Sequence, residues 1–161
     1  PIISRMMYNK RMRGFTLIEI LIVTTIAAIL FAIILSGFAG LRQNSDLTLA
    51  VDDSISFLQE ARTKTLSSES SSVYGVHFET SQFVFFVGGT YNPASASNKI
   101  RALPPTVEIS TWNFTGGGDE VIFKRLNGET DMKGDVTFRL TSDPSVLKII
   151  EIFPTGLAGI Q

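Results

Sequence analysis

The sequence predicts an α+β chain: one long N-terminal helix, then an antiparallel β domain of one sheet or two. Three observations carry this. Residues 20–41 hold no charged side chain. From Leu47 the apolar residues recur in steps of three and four, the spacing of one helix face. From Val73 the pattern changes to short runs of β-branched and aromatic residues, separated by Gly, Asn and Ser. One helix followed only by strands is the α+β order.

The helix comes first. Ile20 to Leu41 is a charge-free stretch of 22 residues, about 33 Å as a helix against a hydrocarbon core of about 30 Å. Arg5, Lys10, Arg11 and Arg13 precede it, so the positive-inside rule places residues 1–14 in the cytoplasm and the rest outside. One acid, Glu19, stands near the start of the apolar run. Unpaired in hydrocarbon it would cost about 2.5–3.5 kcal/mol, so a partner is expected. A secretory signal peptide has a shorter apolar region. A plain signal anchor fits length and orientation but leaves Glu19 unexplained. A third reading is a cut between Gly14 and Phe15, which removes the cations and creates a new amine on Phe15.

Beyond Leu41 the residues Leu47, Val51, Ile55, Leu58, Ala61 or Arg62, and Thr65 make one face. Asp46, Asp52, Asp53, Gln59 and Glu60 make the other. The helix is expected from about Phe15 to about Leu66, roughly 52 residues and 78 Å. It bends at Ser36, Gly37 or Gly40 and frays into the polar run Ser67–Ser72. The expected organisation is therefore a leader (1–14), a membrane and assembly half of the helix (15–41) and a soluble domain (42–161). The domain is large enough for a single core.

The strands follow. Val73–Phe78 and Gln82–Val87 read as a hairpin. Phe83–Val87 is apolar on both faces, which calls for cover on both: the helix on one side, a second sheet or a loop layer on the other. Gly88–Lys99 reads as a long exposed loop. Thr106–Asn113, Glu120–Arg125, Asp135–Leu140 and Leu147–Phe153 are the remaining strand candidates. The turns between them are marked by Gly116-Gly117-Gly118 and Asn127-Gly128.

Composition excludes several chemistries. The chain of 161 residues has no cysteine, so disulfides, thiolate metal sites and cysteine nucleophiles are out. The formal net charge is −1. Without residues 1–14, ten Lys and Arg face fifteen Asp and Glu, a net of −5, which argues against a general nucleic-acid binder. Lys124, Arg125, Lys133, Arg139 and Lys148 are interleaved with acids, and the tail from Phe153 carries no cation. No serine sits in a GxSxG turn, and Gly116–Glu120 lacks the lysine and helix of a phosphate loop. The single histidine, His77, reads as structural, and Trp112 and Phe114 as core aromatics. Asn127, Glu129, Asp131 and Asp135 put oxygens in one short loop, weak calcium candidates whose spacing does not match an EF-hand. A polar hairpin loop is the expected reading; no catalytic group and no cofactor are expected.

Gly14-Phe15-Thr16-Leu17-Ile18-Glu19, with its basic leader and apolar helix, resembles the processing motif of type IV prepilins and type II secretion pseudopilins. That resemblance implies a pilin-like fold and cleavage by a prepilin peptidase after Gly14, with methylation of the Phe15 amine. It also implies assembly with other pilin or pseudopilin subunits through the helix, at an inner-membrane assembly platform. Glu19 would meet the N-terminal amine of a neighbouring subunit. Opposite charges attract strongly in a low-dielectric bundle, and desolvation offsets much of that gain, so the pair adds register more than stability. A looser resemblance, carried by Leu58–Phe78, EVIFKRLNGE, GDVTFRL and KIIEIFPTGLAGIQ, is to the H-type minor pseudopilins and FimT-like minor pilins. It implies a low-copy subunit that helps start a filament or sits near its tip. The competing reading from another class is a minor pilin that captures DNA or a surface ligand.

Overall fold

The computed structural model describes residues 14–161. Arg5, Lys10, Arg11 and Arg13 lie outside the described residues. The chain divides into two compact units, residues 1–39 and 40–161. Helix α1, Leu17–Leu66, has residues in both. It starts two residues later than expected, and its helical assignment continues through Ser36, Gly37 and Gly40.

In the first unit none of the side chains of residues 14–35 is buried, and Leu17, Ile22, Ile26 and Phe31 are among the exposed large apolar residues. Thr24 and Thr25 donate their hydroxyls to the Leu21 carbonyl, at 3.0 and 2.7 Å. Their polarity is thereby satisfied within the helix.

In the second unit the same helix is one-sided. Leu47, Ala50, Val51, Ser54, Leu58, Ala61 and Thr65 are buried, and Ile55 and Phe57 pack against the core from its margins. Thr65 ends this face with a bridge. Its hydroxyl donates to the Ala61 carbonyl (2.8 Å) and accepts the N–H of Tyr74 (3.0 Å), which ties the helix end to the first strand. Between them the serine run forms a short 3-10 turn, Glu69–Ser71, with Ser68, Ser70 and Ser71 at positive φ.

Eight strands follow: β1 Tyr74–Glu79, β2 Gln82–Val87, β3 Lys99–Ala102, β4 Val107–Phe114, β5 Glu120–Ile122, β6 Gly134–Leu140, β7 Leu147–Ile152 and β8 Ala158–Ile160. They make two four-stranded antiparallel sheets, ordered β3-β2-β1-β5 and β4-β6-β7-β8. The architecture is the expected α+β, pilin-like one, with two sheets. Alternate residues of both sheets, among them Val76, Phe78, Phe83, Val136, Phe138 and Ile150, join the helix face in one core. Phe57 meets Phe83 edge-on at 5.1 Å, and Phe78 meets Phe114 across the sheets at 5.7 Å. Each fully buried side chain of this size contributes about 1.5–3 kcal/mol.

The doubly apolar run Phe83–Val87 has the expected cover on both sides. Phe83 and Phe85 face the helix. Val84 and Phe86 are buried on the outer face, where the layer is the loop after β2: Tyr91 packs on Phe86 at 5.7 Å and stacks on His77 at 4.0 Å. The Tyr91 N–H, held by the Glu120 carboxylate at 2.8 Å, pins that loop.

Three strand boundaries differ from expectation. Lys99, read as the end of a loop, opens β3. The tail forms β8. Strand β5 stops at Ile122, because Lys124–Gly128 folds into a tight turn closed by the Gly128 N–H on the Lys124 carbonyl at 3.0 Å. The acidic face of α1 holds this framework: Asp53 pairs with Arg101, Glu60 with Lys99 at 2.6 Å, and Asp46 accepts the Thr106 hydroxyl at 2.9 Å.

Candidate processing and assembly site

Gly14, Phe15 and Thr16 precede the helix and are exposed, Phe15 at 78%. The peptide bond between Gly14 and Phe15 thus lies outside the helix, just before its first turn, where no intrahelical hydrogen bond has to break for it to be reached.

Thr16 is the N-cap. Its hydroxyl oxygen accepts the N–H of Glu19 at 3.3 Å, and its carbonyl accepts the N–H of Ile20 at 3.2 Å. Thr16-Leu17-Ile18-Glu19 therefore has the order of a capping box, a hydroxyl residue followed three positions later by Glu. That pattern was legible in the sequence and went unread. It gives Glu19 a local function beside any intermolecular one: a carboxylate in the first helical turn is favoured by the N-terminal partial charge. Phe15, Glu19, Ile20, Val23 and Thr24 line a shallow groove of about 230 Å³ on the helix surface. Phe15 and Glu19 are thereby neighbours on one open face.

The loop oxygens do not converge. Asn127 and Glu129 bond to each other, side chain to side chain at 2.7 Å, and the Asn127 side-chain oxygen accepts the Glu129 N–H at 3.2 Å. Asp131 turns to Lys124 at 2.6 Å, and Asp135 lies in β6 opposite Glu151 and Asn113. Among the described residues no group of three or more His, Asp or Glu is placed to hold a metal ion.

The cations of the domain are dispersed. Arg139 pairs with Glu108 at 2.7 Å, Lys148 donates to Thr48 at 3.0 Å, and Arg125 donates to the Ser71 carbonyl at 3.2 Å. His77 is 8% exposed, under Tyr91, with Glu79 and Asp119 carboxylates each 3.3 Å from a ring nitrogen. Phe114 is buried and Trp112 packs at the core margin.

Residues 9–35 match the family model of the prokaryotic N-terminal methylation motif. No curated protein and no solved structure matches the chain. The motif supports a prepilin-type, pilin-like subunit that is processed by prepilin peptidase and assembles with other pilins. With the apolar half of α1, it fits a membrane-anchored chain. The match ends at residue 35 and does not reach the β domain.

Proposed function

We propose that this chain is a minor pseudopilin or minor type IV pilin of the H-type group. It is a structural subunit, without catalysis of its own, of a filament serving type II secretion or pilus biogenesis. It is inserted with residues 42–161 outside the cytoplasm and cut between Gly14 and Phe15. Its new Phe15 amine is methylated, and it is drawn into a filament by packing of residues 15–41 against the same segment of its neighbours. Glu19 meets the Phe15 amine of an adjacent subunit and sets the register of docking. The observation that carries this reading is the methylation motif across an exposed bond ahead of an unburied apolar helix.

N-terminal sequencing or intact mass of the protein from cells with active prepilin peptidase tests the cut. The expected mature chain begins at methylated Phe15; a chain that keeps residues ahead of Phe15 overturns the reading. Glu19 needs two variants, because it also sits in the capping pattern. Glu19→Gln keeps a side chain that suits the third helical position and removes the charge. Processing is expected to be unchanged and incorporation into filaments to fall at least tenfold, as in Glu19→Ala. Normal incorporation of Glu19→Gln would leave capping, not charge pairing, as the function of this residue.

A further inference from the structure

Phe15-Thr16-Leu17-Ile18-Glu19-Ile20 is a complete helix start signal. Thr16 stands at the N-cap and Glu19 at the third helical position, the two ends of a capping box. Phe15 precedes the cap, Ile20 is the fourth helical residue, and both line the same groove. An apolar pair at those two places is the hydrophobic staple that fixes how the chain enters a helix. The signal lies directly against the Gly14–Phe15 bond, and α1 begins at Leu17, one residue after the cap. Ahead of the bond, propensity does not halt a helix: Lys10, Arg11, Met12 and Arg13 are good helix formers. Gly14 disfavours helix, but a glycine alone does not end this one, since Gly37 and Gly40 lie inside α1.

The medium gives this start signal its importance for the cut. The first N–H groups of a helix have no acceptor within the helix. In water they bond to solvent. In a segment that enters lipid that option is lost, and an unsatisfied N–H is costly. Two kinds of partner remain: a capping side chain, or carbonyls recruited by winding one more turn of helix backward. A turn wound back from Leu17 would take in Phe15 and Gly14 and put the bond between them inside the helix. A peptidase would then have to unwind that turn before reaching the bond. Thr16 supplies the first kind of partner, its hydroxyl oxygen accepting the Glu19 N–H at 3.3 Å.

We infer that Thr16 is a positioning residue for the cut between Gly14 and Phe15. Its cap, braced by Phe15 and Ile20, stops α1 at Leu17 and keeps the scissile bond outside the helix for the prepilin peptidase. The step it serves is a hydrolysis: water adds across the Gly14–Phe15 peptide bond, leaving a carboxylate on Gly14 and the amine on Phe15. Thr16 takes no part in that chemistry. It sets the fraction of molecules in which the bond is available. The inference rests on the processing proposed above and deepens it, adding to the motif a residue whose contribution is conformational.

The test uses the full precursor and purified prepilin peptidase in detergent micelles. Thr16→Val keeps the shape of threonine and removes the capping oxygen. Thr16→Ser and Thr16→Asn keep a capping oxygen, and Asn changes the shape. Thr16→Val is expected to lower kcat/KM for the cut about fivefold or more, the population change that loss of a helix cap brings. The loss is expected in KM with kcat little changed, because fewer molecules present an unwound bond. The Ser and Asn variants should stay within about twofold of the parent, because both keep the cap. Cα chemical shifts of Gly14 and Phe15 in the same micelles should turn helical in Thr16→Val alone. A parental rate in Thr16→Val overturns the inference. So does Thr16→Asn as slow as Thr16→Val, which would mean that the peptidase reads threonine itself, and so does a loss confined to kcat. Fraying of Leu17 and Ile18 in Thr16→Val, with Gly14 and Phe15 unchanged, also counts against it. Failure of the processing reading looks different: the parent chain itself is then not cut between Gly14 and Phe15.

Discussion

One helix, α1, contains two segments of opposite fate. Residues 17–35 carry more apolar surface than residues 44–66, yet none of them is buried, while the second segment sinks Leu47, Val51, Leu58 and Ala61 almost completely. The difference is pattern. The second segment is apolar at steps of three and four and polar elsewhere, so it has an inside and an outside, and two sheets supply the inside. The first is apolar all round, so no single face is chosen, and among the described residues none of its side chains is buried. A helix apolar on every side has to find lipid or other helices. The same residue types thus report intramolecular packing in one segment and an external environment in the other.

The largest effect that would sharpen this contrast comes from one truncation in each segment. Phe78→Ala empties a site that is fully buried between the sheets and is expected to cost the β domain about 3–5 kcal/mol. Ile26→Ala removes a side chain that is 53% exposed in the first segment. It should leave the melting temperature of the β domain within about 0.5 kcal/mol of unchanged, and lower only membrane or filament association. Thermal denaturation of the full-length variants in detergent reads both. A substantial loss of domain stability in Ile26→Ala would mean that the two segments do not have separate partners.

Much of this was legible in the sequence because the signal was local. The period of the helix, the two-faced apolar strand Phe83–Val87 and the glycine turns each follow from neighbouring residues. The segments that escaped are made by their partners. Strand β3, Lys-Ile-Arg-Ala, is exposed at all four positions, so it has no burial pattern to read. It is a strand because β2 offers an edge, and because Glu60 and Asp53 of α1 hold Lys99 and Arg101. Strand β8 contains a glycine and is only three residues long, extended by pairing with β7. The roof over Phe86 and His77 depends on a tyrosine in a stretch that otherwise reads as loop. At the candidate processing site the Gly14-Phe15 junction and Glu19 were legible as a motif. The capping bond from the Glu19 N–H to the Thr16 hydroxyl is legible too, in the spacing of Thr16 and Glu19. The calcium candidates were close in sequence but diverge, because Lys124 and Asn127 engage the carboxylates of Asp131 and Glu129.

The smallest effect concerns how firmly the second segment of α1 holds β3. The pKa of Glu60 is lowered, chiefly by the hydrogen bond from Lys99, with the charges of Lys99 and Lys64 adding to it. A carboxylate with a folded pKa below its unfolded value stabilises the fold above the unfolded value. That stability is lost as pH falls through the folded pKa. The Glu60–Lys99 contribution should therefore be present at neutral pH and fade below about 4.5, the ordinary glutamate value. Both side chains are substantially exposed, so the coupling is expected to be under about 1 kcal/mol. Lys99 also lies 5.0 Å from the Phe85 ring centroid, a contact that persists in acid, so Lys99→Ala alone would confuse two interactions. A double-mutant cycle with Glu60→Gln and Lys99→Ala, measured by denaturant unfolding at pH 7 and again well below 4.5, isolates the pair. A coupling that survives acid would assign the tether to a hydrogen bond between Lys99 and the neutral carboxyl of Glu60. The hold of α1 on β3 would then not depend on the charge of Glu60.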